Sequence, residues 1–165
     1  MSNIFEDERN IDTLHGRYLT FSLGKDIYGI AIKYVVEIIG IQSITAVPEV
    51  PQYIKGVINL RGKIIPVIDV RMKFGKESID YNDRTCIIVI EIGDVTVGLI
   101  VDKVDEVLTA EDQDVALPPA NRSGFENRYI MGIIKTGVKK QMLLECEKLV
   151  KGNIPDISLS QEIRL

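Results

Sequence analysis

YLTFSLGKDIYGIAIKYVVEII (18–39) returns further along the chain as CIIVIEIGDVTVGLIVDKVDEVL (86–108). Gly24 aligns with Gly93, Gly29 with Gly98, Ile32 with Val101, Val35 with Val104 and Glu37 with Glu106, each pair 69 residues apart. A second block repeats as well. YIKGVINLRGKIIPVIDV (53–70) matches YIMGIIKTGVKKQMLLEC (129–146), with Tyr53/Tyr129, Ile54/Ile130, Gly56/Gly132 and Ile58/Ile134 all 76 apart. The offset grows by seven residues (76 − 69), and the polar stretch PPANRSGFENR (118–128) is where a surface loop absorbs them. One architecture is written twice.

Each copy reads as β. Leu19, Phe21 and Leu23 alternate with Tyr18, Thr20 and Ser22, the period of a half-buried strand. Gly24-Lys25-Asp26 makes a hairpin turn into IYGIAI, and Arg61-Gly62 makes a tight turn before KIIPVIDV. The prolines of VPEVPQY (47–53) frame a short turn or a single helical turn. Pro66 cannot donate to a ladder, so its strand is expected at an edge or at a bulge. That gives about five short strands per copy, at turn spacings that suit small barrels. Composition agrees: 26 Ile and 16 Val against 5 Ala favour strands and exclude a helical bundle. The fold class is all-β with short helical turns. A copy of about 65 residues is marginal for a core of its own, so the two are expected to share or exchange strands.

The organisation follows: an acidic N-terminal segment (1–14), one domain over 15–151, and a tail (152–165). Within the domain, the first repeat covers about 17–75, the linker GKESIDYNDR 75–84, and the second repeat about 85–150. The tail carries Ile157, Leu159, Ile163 and Leu165, a short amphipathic piece or a frayed end. No apolar run reaches the roughly 18 residues of a membrane span, and the acidic start is no signal peptide. Cys86 and Cys146 lie in apolar runs and read as small buried hydrophobes, not as a disulfide or a metal site. His15, near a polar end, reads as exposed. A reducing cytoplasm is the expected setting.

Charge is unevenly placed. The stretch 55–76 has six bases against Asp69, a net +5, whereas 91–114 has eight acids against Lys103, a net −7. These are either two solvated faces or the two ends of a polar module that docks between different proteins. An acidic chain without an aromatic platform disfavours nucleic acid.

Catalysis finds no support in the sequence. There is no nucleophile beside a base, no phosphate-cradling loop and no dinucleotide fingerprint. Asp102, Asp105 and Glu106 read as a solvated acidic turn, and no metal or cofactor is expected. Function is then a matter of surfaces, and the two copies differ most at one turn: Asn59-Leu60-Arg61-Gly62-Lys63 against Lys135-Thr136-Gly137-Val138-Lys139. An arginine at a turn apex projects a fork of donors, which makes Arg61 an anchor candidate; on spacing alone it reads as an ordinary exposed arginine. Glu37 is either structural or the partner of Arg61. Gly56 reads as a backbone requirement and Val35 as a core residue.

The run VPEVPQYIKGVINLRGKIIPVIDVRMKFG (47–75) closely resembles the signature segment of the CheW family, the adaptors of bacterial chemotaxis. FSLGKDIYGIAIKYVVEII, VGLIVDKVDEVL and YIMGIIK resemble other family blocks, in order, and the similarity covers about residues 17–150. The resemblance implies two intertwined five-stranded SH3-like barrels. It also implies a non-enzymatic adaptor between transmembrane chemoreceptors and the histidine kinase CheA, cytoplasmic, recruited to membrane-associated receptor arrays and monomeric when isolated. The receptor's helical hairpin tip would dock between the barrels near Val35, Glu37, Gly56, Arg61 and Val104, with Ile87 placed there by strand position. The kinase's regulatory domain would meet the first copy near Ile32 and Lys55. Two other readings stand beside this one: a generic SH3-like peptide-binding module, disfavoured by 6% aromatics and no Trp, and a small-molecule or ion-binding barrel, favoured only if the 91–114 acids hold a metal tightly.

Overall fold

In the computed structural model, which describes residues 16–118 and 128–150, the alternation at Tyr18–Leu23 becomes strand β1 (Arg17–Leu23). The first copy continues with β2 (Asp26–Ala31), β3 (Val35–Gly40), β4 (Ile54–Leu60) and β5 (Lys63–Asp69). The second copy supplies β6 (Cys86–Ile92), β7 (Val95–Val101), β8 (Lys103–Thr109), β10 (Ile130–Thr136) and β11 (Lys139–Leu144), and adds the two-residue β9 (Val115–Ala116). Two-residue hairpins join β1 to β2, β4 to β5, β6 to β7 and β10 to β11, each with a glycine at positive φ: Gly24, Gly62, Gly93 and Gly137. Short helices α1 (Val70–Lys73) and α2 (Cys146–Val150) begin 76 residues apart, and single 3-10 turns occupy Ile32–Tyr34 and Asp112–Asp114. The VPEVPQY segment turns without forming a helix.

The copies exchange strands reciprocally. One sheet runs β8-β1-β2-β11-β10-β9 and the other β3-β6-β7-β5-β4. Each sheet therefore takes the first two strands of one copy and the later strands of the other, three in the five-stranded sheet and, with the short β9, four in the six-stranded one. The exchange is made at two parallel seams, β2 beside β11 and β5 beside β7. Strand bulges repeat with the sequence: register shifts lie between Val35 and Glu37 and between Ile54 and Gly56 in the first copy. The β1–β8 and β10–β11 pairs shift at the matching places in the second.

Three apolar clusters hold the sheets. The largest joins both, from Leu19, Phe21 and Ile30 to Ile88, Ile90 and Leu99. The opposite face of the second sheet packs Ile58, Ile65, Val67, Ile87, Val89 and Ile100 around a core of its own, and that of the first packs Ala110, Ile134 and Leu143. Burial on both faces explains the unbroken apolar runs CIIVI and VGLIV, where half-exposed strands would alternate.

Pairing is not continuous around either ring, so the expected barrels are rings completed by an interrupted strand. Beyond β3 the chain returns to β4 through one bridge, Thr45 to Val57, with both N–H···O contacts at 2.9 Å. Beyond β8 it returns to β10 as β9. Both crossings explain a shared glycine. A Cβ on Gly56, at φ 145°, would stand 2.1 Å from the Thr45 carbonyl oxygen; one on Gly132 would stand 2.4 Å from a Val115 methyl.

Two expectations need correction. Pro66 sits in an interior strand, tolerated because the parallel seam with β7 starts only at Val67 and leaves one side of Pro66 unpaired. The basic stretch 55–76 does not present its six bases together, because acids pair with three of them and a fourth is buried. Arg71 binds Asp102 at 2.8 Å, Lys76 binds Asp26 at 2.9 Å, Arg61 binds Glu37, and Lys73 is buried. Cys146 is buried with its thiol pushed up to about 12 by that burial, while Cys86 is half-buried; both are free. His15, the segment 1–14, the tail 152–165 and most of the 118–128 loop lie outside the described residues.

Lys73 stands where the repeat places the fully buried Leu149, 76 residues on. Its Nζ lies 4.0 Å from the Tyr53 ring centroid and 5.5 Å from that of Tyr129, the tyrosine pair of the repeat. Burial lowers its pKa to about 8. The folded chain then holds fewer protons than the unfolded one between that value and the unperturbed 10.5, so stability rises with pH in this window. Thermal melts should rise from about pH 7.5 to about pH 9.5, below the range where the raised Tyr53 ionises. Lys73→Met should flatten that rise; a flat wild-type profile would refute the buried cation. Gly56→Ala should destabilise by roughly 1–3 kcal/mol or more, and by more than Gly132→Ala, because the first meets backbone and the second a movable methyl.

Candidate functional site

The β4–β5 hairpin turns on Arg61 and Gly62, with φ 51° and 86°. Positive φ at both central residues is the turn whose twist matches the flanking strands, and it ordinarily selects Asn or Gly first. Arginine there costs on the order of 1 kcal/mol. In the second copy Gly137, at φ 63°, takes the same place and avoids that cost. Asn59 Oδ1 accepts from the Gly62 N–H at 2.8 Å and fixes the turn.

From this apex the Arg61 side chain, 69% exposed, donates to the Glu37 carboxylate on β3. β3 and β4 are the two ends of their sheet, so the pair closes the ring beside the Thr45–Val57 bridge. A guanidinium has five N–H donors. Glu37 engages one terminal nitrogen, which leaves outward-facing donors for an incoming carbonyl or carboxylate.

The other residues named from sequence divide by burial. Val35 and its repeat mate Val104 both pack on the central core, the first buried and the second half-buried, opposite Ile90 and Phe21. Ile87 is fully enclosed in the core of the second sheet, between Ile39 and Ile100. Ile32, on its 3-10 turn, is buried in the central core. Gly56 lies under Thr45, and Lys55, half-buried, is the extra residue of the bulge beside it. Surface chemistry therefore comes from Arg61, Glu37 and Lys55 with part of Val104; the rest set backbone shape beneath. Val36, turned out by its bulge to 38% exposure, is not legible from sequence, because two adjacent valines in an apolar run do not say which of them faces out.

The acids read as one turn are divided. Asp102 takes Arg71 and the Gly24 N–H, while Asp105 takes the Ser22 hydroxyl and Lys103. Among the described residues no three His, Cys, Asp or Glu side chains are grouped to hold a metal ion, and no helix is long and apolar enough to cross a membrane. Phe21, Tyr28, Phe74 and Tyr129 stack in the core and offer no aromatic groove.

The sequence matches the CheW-like domain family over residues 17–152. It is 36% identical over 139 residues to the chemotaxis protein CheW of Klebsiella aerogenes, covering 84% of each chain. It is 31% identical to CheW of Treponema pallidum over 135 residues, 79% of each. The crystal structure of the scaffolding protein TtCheW from Thermoanaerobacter tengcongensis superposes with a TM-score of 0.76 at 35% identity, covering 84% of this chain and 95% of that one.

An exposed ion pair contributes about 0–1 kcal/mol. Arg61→Ala should therefore leave the thermal midpoint almost unchanged, while Arg61→Gly should hold or raise it by relieving the positive φ. A large loss in either variant would show the hairpin to be a folding element first.

Proposed function

The chain belongs to the CheW-like domain family, and from that premise we propose that it is a non-enzymatic chemotaxis adaptor bridging a membrane chemoreceptor and the histidine kinase CheA. The observation that supports this most is Arg61: a strained, exposed arginine kept at a hairpin apex where the other copy uses glycine. Unusual backbone retained at an exposed donor points to a contact.

The receptor's helical tip would meet Arg61 and Glu37, with Val104 as an apolar neighbour. Glu37 holds the guanidinium in place, so little side-chain entropy is lost on binding. Val35, Gly56 and Ile87 act from beneath by fixing β3, β4 and β6. The regulatory domain of the kinase would meet the first copy at Lys55, whose bulge lifts it out of the ladder, with Ile32 supporting the neighbouring turn. Holding both partners raises their effective concentration and passes a conformational bias between them without chemistry. The adaptor would work in the cytoplasm at receptor arrays. The buried aromatics count against the generic peptide-binding module.

Pull-downs with a receptor cytoplasmic fragment and with the kinase regulatory domain, alone and together, test the bridge. Both should be retained at once, and Arg61→Ala should weaken the receptor about tenfold or more while sparing the kinase. Failure of folded protein to bind either partner, or equal receptor binding by the variant, would defeat the assignment.

A further inference from the structure

The hairpin that matches the Arg61 apex is charged in another way. Strands β10 and β11 with their turn, residues 130–144, hold three lysines and no acid. Lys135 and Lys140 stand directly opposite each other in the ladder, and Lys139 is paired with Thr136 beside the turn. Like charges opposed in this way repel. The first copy sets Asn59 opposite Ile64 at the same positions and avoids the repulsion. At the apex Gly137 has φ 63°, and Val138 beside it is wholly exposed.

The acids on either flank do not relieve the opposed pair. Extended by one residue, the parallel register of β11 and β2 sets Lys140 beside Asp26, whose carboxylate takes Lys76 at 2.9 Å. The register of β10 and β9, extended likewise, sets Lys135 beside Asp114, whose Oδ2 accepts from the Glu111 N–H at 3.0 Å. Neither lysine pairs with an acid among the described residues. Lys139, on the opposite face of β11, lines an open cleft of about 570 Å3 with Gln141 and Glu106. Lys135, Lys140 and Val138 thus form an unpaired basic tip with an apolar point.

Such a tip fits a segment whose apolar residues adjoin a run of acids, and this chain carries one: Ile4 and Phe5 precede Glu6, Asp7 and Glu8. The segment can reach. β1 begins at Arg17, at the end of its sheet away from Gly24, and the parallel seam puts the Gly137–Val138 turn at the Gly24 end. The path runs the length of β1, about 23 Å, and across two strand spacings, about 10 Å. The eleven steps from Phe5 to Gly16 span up to about 36 Å. Tethering also gives the segment a high effective concentration at the tip. We propose that the acidic N-terminal segment docks on this hairpin in the same molecule, with Ile4 and Phe5 against Val138 and with Glu6, Asp7 and Glu8 on Lys135 and Lys140. The contact covers one end of the first barrel, needs neither protein partner, and leaves the Arg61 hairpin on the other sheet open.

A spin label on the full chain tests it, attached at Ser2→Cys with Cys86→Ser; Cys146 is buried. The label should broaden the backbone amide signals of residues 137–140 and spare those of the Arg61 turn. Lys135→Glu with Lys140→Glu should remove the broadening, and so should about 1 M salt, which screens charges beyond about 3 Å. Adding Glu6→Lys, Asp7→Lys and Glu8→Lys to the reversed hairpin should restore it. No broadening at the tip, broadening that survives the reversal, or no recovery in the compensated variant overturns the proposal. Equal broadening between spin-labelled 14N chains and unlabelled 15N chains also overturns it, by making the contact one between two copies. So does saturable binding of the full chain to phosphatidylglycerol vesicles that the hairpin reversal abolishes, which would give the tip to a lipid surface.

Discussion

Two short parallel seams carry the architecture: Gln141–Leu143 of β11 beside β2, and Val67–Asp69 of β5 beside β7. Every other pairing is antiparallel, and four of them are hairpins that one copy can make alone. The seams need both copies, because each inserts the last hairpin of one next to the first hairpin of the other. They also need room. Gly29 faces Leu143, 3.1 Å from where a Cβ would lie, and Gly98 faces Val67 at 2.9 Å and Ile87 at 2.7 Å. Larger residues there would force side chain against side chain inside each barrel. The glycine pair 69 residues apart is thus a packing requirement of the exchange.

Exchange of this kind gives a small chain a large core. Placed back to back, the two sheets bury one face of each against the other, and the opposite faces are covered by clusters of their own. The central cluster takes side chains from both copies, so neither half keeps its interior without the other. Electrostatics follow the same path: Arg71 and Asp26 of the first copy find partners across the exchange or beside it, in Asp102 and Lys76. Tyr81 of the linker donates to Asp69 at 2.8 Å, and burial with that bond raises its pKa.

Against this symmetric frame the barrels have separate chemistry. The second is dry inside and closed outside by Arg61 on Glu37. The first sets polar Thr20 and Gln141 beside an apolar cluster of Ala110, Ile134 and Leu143, and has a glycine at the matching apex.

The sequence by itself determined the repeat, the β class, the strand exchange as an expectation, the hairpin apexes and the candidacy of Arg61 and Glu37. These rest on period-two alternation, turn glycines and fixed offsets, all of them local or self-referential signals. Helices α1 and α2 escaped notice because four or five residues are too few to show a helical period. The resemblance named Val35, Gly56, Ile87 and Ile32 as contacts; the residues themselves read Val35 as core and Gly56 as a backbone requirement, and only the structure put Ile87 and Ile32 below the surface. Tertiary structure alone decided that Lys73 is caged by two tyrosines, that Pro66 lies in an interior strand, and that Gln141 faces a cleft and not a core. Burial of a side chain depends on which face of which distant strand covers it, and that partner lies dozens of residues away.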